Sequence, residues 1–282
     1  MKFICKTKSQ ASIFVLFGLV IAIAAVFIVN IDALDVKEKD ITSPSFDMSP
    51  VKLFVESCIS DTGKKALVFV GGQSGYYDLK EPYLKDENFN LSYYYIENLD
   101  IVPTIETLQN EISGYMDDNL LSCINDFSEF REMGYEIGYS DLRTGTIIGE
   151  EGVYFSVNFP TTVKKGTETT RIDDYSAGLD RAPLRNLNKI SKEIVSLQLE
   201  DPTSICLSCL YDLGEKYNFY PNVIDYTDTI LIFDIRVYNT STTEIYNFTF
   251  AVKYKKIFCN NLAYADDVAF TIECVERAKE NA

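Results

Sequence analysis

Apolar and polar positions change character near residue 31. Ile13 to Val29 holds 17 residues without a charge, and 11–31 extends that run at both flanks. At about 1.5 Å per residue, such a stretch reaches roughly 30 Å, the thickness of a bilayer core. It predicts a transmembrane helix. A cleaved signal peptide would carry a shorter apolar region ahead of a small-x-small site. This run is longer and ends in Val29-Asn30-Ile31-Asp32, so it is read as an uncleaved anchor. Residues 32–48 are polar, include Pro44, and read as a stalk.

Periods of three to four and of two then alternate. Ser49-Pro50 opens a helix, with Val51, Phe54, Val55, Cys58, Ile59 and Thr62 on one stripe and Gly63 placed to cap it. Ala66 to Val70 reads as a short buried strand closed by Gly71-Gly72, and Leu91 to Ile96 as a second strand. Pro103-Thr104 opens a long helix whose apolar positions run Ile105, Leu108, Ile112, Met116, Leu120, Ile124, Phe127, ending before Gly134. Val153, Phe155, Val157 and Phe159 then alternate with polar residues, and Lys165-Gly166 turns the chain into a hairpin with Thr167 to Ile172. A helix over 184–200 follows, then a helix over the Cys206–Cys209 segment running to Gly214. Leu231, Phe233, Ile235 and Val237 form a second hairpin with Tyr246, Phe248, Phe250, Val252 and Tyr254. On that last strand Asn247, Thr249, Ala251 and Lys253 face outward. The tail from Asp266 reads as a helix. The predicted class is α+β: an N-terminal transmembrane helix, then an ectodomain of three to four helices packed on antiparallel β-hairpins. Its divisions are a leader (1–10), the span (11–31), the stalk (32–48) and the domain (49–282).

Charge sets the orientation. Lys2, Lys6 and Lys8 precede the span, so the N-terminus stays in the cytoplasm and the rest lies outside. Beyond the span the formal charge is −19, from 23 basic and 42 acidic residues. That balance excludes a nucleic-acid partner, which requires a basic face. The partners expected are the lipid bilayer, through the N-terminal helix, and other envelope proteins. The chain has no His, which removes His-based triads, general bases and metal sites.

Of seven Cys, Cys5 precedes the span as a free thiol. Six lie beyond it, namely Cys58, Cys123, Cys206, Cys209, Cys259 and Cys274, and allow up to three disulfides in 15 connectivities. Cys259 and Cys274 enclose a short loop and can pair. Cys206-Leu-Ser-Cys209 is a C-x-x-C near a helix start, where the dipole lowers a thiol pKa. A helix rather than a strand precedes it, so structural stapling is the preferred reading and thiol redox chemistry the alternative. One C-x-x-C without His falls short of a zinc site, and no metal or cofactor is expected. Asn90, Asn239 and Asn247 head N-x-S/T sequons and are glycosylation candidates. Gly71-Gly72-Gln73-Ser74-Gly75 lacks the Lys-Ser/Thr of a phosphate loop and reads as a tight turn. The pairs Asp117-Asp118, Asp173-Asp174 and Asp266-Asp267 form no D-x-D-x-D-G loop. An echo links Cys58-x-x-Asp61-x-Gly63-x-Lys65 with Cys209-x-x-Asp212-x-Gly214-x-Lys216, and generic helix-end chemistry accounts for it.

Lys8-Ser9-Gln10-Ala11-Ser12-Ile13, running into the apolar span, resembles archaeal class III (type IV pilin-like) signal sequences. That resemblance implies cleavage ahead of Gln10 and a filament-forming helix. The family carries Glu at the fifth mature position, where this chain has Phe14. The segments VKLFVESCI (51–59), GGQSGYYDL (71–79), PTIETLQNEISGYMDDNL (103–120), VNFPTTV (157–163) and ICLSCL (205–210) resemble a group of single-span surface proteins of small-genome archaea. This second likeness implies an archaeal envelope protein and supplies no activity. The functional expectation is a membrane-anchored extracytoplasmic binding or structural protein without evident catalysis. The alternatives are a pilin-like filament subunit, or a thiol oxidoreductase using Cys206 and Cys209.

Overall fold

Ser49 to Gly72 folds as one uninterrupted helix, α1 (Ser49–Gly72), rather than as a helix and a strand. Gly63 does not cap it. A Cβ at Gly63 would lie 2.5 Å from Cε2 of Phe155, so the glycine is a notch that admits an aromatic ring. The apolar run Ala66 to Val70 keeps a helical period: Ala66, Leu67 and Val70 are buried while Val68 and Phe69 are exposed. A short run apolar on every position fits either structure, and packing on two sheets selects the helix here. The turn after α1 uses left-handed Ser74 and Gly75, with the Gly75 N–H donating to the Val70 carbonyl (2.7 Å).

The computed structural model describes residues 49–96, 98–200, 205–238 and 245–254, all within the unit Met48–Ala282. The predicted span, stalk and C-terminal helix, together with Cys5, Asn239, Cys259, Cys274 and Asp266-Asp267, lie outside the described residues. Among those described, no helix is long and apolar enough to cross a membrane.

α2 (Ile105–Ile124) starts where expected, with the Thr104 hydroxyl capping the Thr107 N–H. It lies antiparallel to α1, as Phe69 meets Tyr115 (5.4 Å) at one end and Phe54 meets Phe127 (6.1 Å) at the other. The helix does not continue to Phe127. Asn125, Asp126 and Phe127 are three consecutive left-handed residues, and a short helix, α3 (Ser128–Glu132), follows. Non-glycine residues pay for that backbone. Two features hold it in place. The Phe127 ring is fully buried, stacked on Phe159 (6.3 Å), and Arg131 ties the Asp126 carbonyl (2.8 Å) to that of Ile137 (2.7 Å).

Two sheets flank these helices, and the class is α+β. In the four-stranded sheet, β6 (Gly152–Lys165) pairs along one whole edge with β7 (Glu168–Asp180). Its other edge pairs end to end with β4 (Glu136–Tyr139) and β5 (Arg143–Ile148). The expected alternation holds: Val153, Phe155, Val157 and Phe159 are buried and Tyr154 is exposed. Pro160 has no N–H for the ladder, and it sits at the register shift between Asn158 and Thr161.

The larger sheet runs β1 (Tyr83–Lys85), β2 (Asn90–Ile96), β10 (Ile245–Lys253), β9 (Ile230–Tyr238), β8 (Tyr220–Thr227), with β3 (Leu99–Asp100) beside β2. The expected β9–β10 hairpin forms, with Phe250 opposite Phe233. The expectation of purely antiparallel strands is corrected, because β2 pairs with β10 in parallel. One face stacks Tyr94 on Phe250 (4.4 Å) and Phe250 on Phe233 (5.4 Å). Ala251 does not face solvent. It is fully buried on the opposite face with Leu84, Leu91, Tyr93 and Ile232. The β1–β2 hairpin closes over that face: Phe89 packs edge-on against Tyr226 of β8 (5.9 Å), whose hydroxyl donates to Asp86 (2.6 Å).

Candidate functional site

The C-x-x-C lies between α4 (Leu184–Glu200) and the end of the second helical segment, α5 (Leu207–Tyr217). Cys206 is the N-cap of α5, outside the helix, and the helix continues past Gly214 to Tyr217. The Cys206 carbonyl accepts the Leu210 N–H (3.1 Å), and its Sγ accepts the Cys209 N–H (3.2 Å), the place a Ser or Asp oxygen takes in an ordinary cap. The Ser208 hydroxyl stands 3.5 Å from the same sulfur. Buried Ile205 and Leu210 anchor the turn on both sides, while Cys206 and Cys209 remain half-exposed. The two sulfurs are joined as a disulfide, with Cα atoms 5.2 Å apart.

The far end of α5 is fixed by charge. Lys216 reaches Glu193 of α4 (3.2 Å), and the Tyr217 hydroxyl donates a short hydrogen bond to the same carboxylate. Burial pushes the Glu193 pKa upward, but the bonds from Tyr217 and Lys216 outweigh it and hold the group below the usual carboxylate value. Docking of α5 on α4 therefore sets where the helix start points.

Cys58 and Cys123 form a second disulfide of different character. Cys58 is 3% exposed, and the bridge joins α1 to α2 across 65 residues. Spacing alone leaves all pairings open, and the antiparallel register of the two helices selects this one. In the loop-entropy account, closing 65 residues is worth about 4 kcal/mol and closing three about 2 kcal/mol. The Cys58–Cys123 bridge staples distant elements. The C-x-x-C bridge spans one turn that the helix already defines.

The remaining candidates are dispersed. Asn90 begins β2 half-buried, with Oδ1 sealed from solvent and without a hydrogen-bond partner. Asn247 is half-buried on β10, opposite Arg236. Asp117 accepts the Thr144 N–H (2.7 Å), Asp118 the Tyr77 hydroxyl (3.1 Å), Asp173 the Arg171 guanidinium (2.6 Å) and Asp174 the Asn158 amide (2.8 Å). Each carboxylate thus serves local structure. Gly71 and Gly72 are the last residues of a helix rather than the end of a strand, and Gln73 to Gly75 form its C-terminal turn. Gly63 lies mid-helix and Gly214 near the end of α5, so the echo joins positions that are not equivalent. Among the described residues no three Cys, Asp or Glu side chains converge as a metal site. Comparison of the chain with protein-family models, curated proteins and solved structures finds no match.

Proposed function

We propose that this chain is a membrane-anchored, extracytoplasmic binding or structural protein of the cell envelope. The apolar 11–31 segment holds it, the three leading lysines keep its N-terminus inside, and the acidic domain is displayed outside. The observation that carries this reading is the Cys58–Cys123 bridge between α1 and α2, because disulfides that join distant elements form and persist in oxidising compartments. Support for a binding or structural role comes from Asp117, Asp118, Asp173 and Asp174, which are each engaged in hydrogen bonds that serve the fold. Its partners are the bilayer and neighbouring envelope proteins. Treatment of intact cells with an impermeant protease tests it. The domain should be shaved from outside while a tag on residues 1–10 stays protected. A domain protected in intact cells and cleaved only after lysis overturns the reading.

A further inference from the structure

The two disulfides invite different explanations. Cys58–Cys123, with Cys58 buried and Cys123 half-buried, ties elements far apart in sequence. Cys206–Cys209 is half-exposed and encloses two residues, in a turn already held by buried Ile205 and Leu210 and by the cap bond from the Leu210 N–H. Its cross-link adds little that the fold lacks. Its position, by contrast, has chemical consequences. Cys206 is the N-cap of an 11-residue helix, so its sulfur sits at the positive end of the helix. The Cys209 N–H in its first turn already donates to that sulfur. A thiolate left at Cys206 would keep that donor, and helix starts are where cysteine pKa values fall.

From this we propose that Cys206–Cys209 is an exchangeable disulfide that oxidises the paired thiols of an extracytoplasmic polypeptide, a chemical function beyond display. A substrate thiolate attacks Cys206 Sγ. A bond forms between the two sulfurs, the Cys206–Cys209 bond breaks, and Cys209 leaves as a thiolate that takes a proton. The second substrate thiolate then attacks the substrate sulfur of the mixed disulfide and expels Cys206 as a thiolate. The substrate loses two electrons and two protons and gains a disulfide. The cysteine pair gains the two electrons, one proton rests on Cys209 and the other passes to solvent. The second step is the one the helix start favours, since its leaving group is the stabilised sulfur.

The test uses the full chain and, as reference, the peptide of residues 205–210. Dithiothreitol serves as the dithiol. In a single turnover each chain should yield one equivalent of oxidised dithiothreitol, with Cys206 and Cys209 free and Cys58–Cys123 intact. The rate should exceed that of the oxidised peptide at least tenfold. In the reduced chain, alkylation of Cys206 should show a pH midpoint at least one unit below the ordinary cysteine value of about 8.5. Cys209→Ser, which leaves Cys206 without a disulfide to exchange, should abolish that turnover. A rate equal to the peptide's, or an ordinary midpoint, overturns the proposal. Cooperative unfolding of the Cys206→Ser/Cys209→Ser chain at ambient temperature also overturns it, by making the bridge a staple. None of these results bears on which side of the membrane the domain occupies.

Discussion

Gly71 and Gly72 close α1 side by side, yet a methyl group meets different surroundings at each. At Gly71 it would overlap the backbone carbonyl oxygen of Asn247 on β10, which cannot swing aside, while at Gly72 it meets nothing within 4 Å. Gly71→Ala should therefore cost about 1–3 kcal/mol by overpacking. Gly72→Ala should be neutral or gain up to about 1 kcal/mol, as alanine suits a helix better. Urea unfolding of the two variants separates them, and equal midpoints would refute the close approach of α1 to β10. The same kind of contact explains why Gly63 misleads in the sequence. A glycine after a helical stripe is ordinary end chemistry. Only the three-dimensional position of Phe155 reveals it as clearance for a ring. Thr104 misled nothing, because its capping partner Thr107 is three residues away and local chemistry suffices.

Among the elements, two devices lend themselves to measurement. The β1–β2 hairpin covers one sheet face and is latched by Asp86 and Tyr226. The Tyr226 hydroxyl, and next the Asn88 N–H, lower the Asp86 pKa. A carboxyl lowered on folding stabilises above its unfolded pKa of about 4, and that contribution disappears as pH falls through the folded value. Amide exchange in residues 84–92 should thus quicken as pH drops below about 4, and more so than in the Tyr226→Phe chain, where only the Asn88 contribution to this pH dependence remains. The second device is the α1–α2 staple. Cys58→Ala/Cys123→Ala should lose about 2–5 kcal/mol, and Cys206→Ser/Cys209→Ser about 2 kcal/mol or less. Element types were legible wherever a period persisted: α2, α4, β6, β9 and β10 all lie where alternation or helical spacing puts them. The break after Ile124 was not. Phe127 continues the apolar stripe, and its burial survives the left-handed turn that ends the helix. The C-x-x-C helix was legible in kind but displaced, since capping by sulfur leaves Cys206 just outside it.

For the whole molecule, the α+β class was readable and its wiring was not. Hairpins announce themselves through a turn between two alternating runs, as at Lys165-Gly166. The parallel β2–β10 contact has no such mark, because its strands belong to opposite ends of the domain. Nor does alternation survive where both faces of a strand are covered. Leu91 to Tyr95 is buried at every position, and Ala251 is buried on the face that polar neighbours made look exposed. A chain ending at residue 244 should consequently fail to fold, as β2 and β9 both lose the strand between them. Retention of a cooperative unfolding transition and a native-like circular dichroism spectrum in that truncation would show the sheet to be dispensable.

That same pairing places a clock on biosynthesis. About 150 residues separate Ile96 at the end of β2 from Ile245 at the start of β10. At roughly 5–20 residues per second, a ribosome needs about 8–30 s to cover the gap. Throughout that interval Tyr93, Tyr94 and Tyr95 have no β10 to shield them, although the α1–α2 bridge can already close. The nascent domain therefore passes through a stage with its tyrosine strand bare. That is the stage at which a holding chaperone would have most to bind.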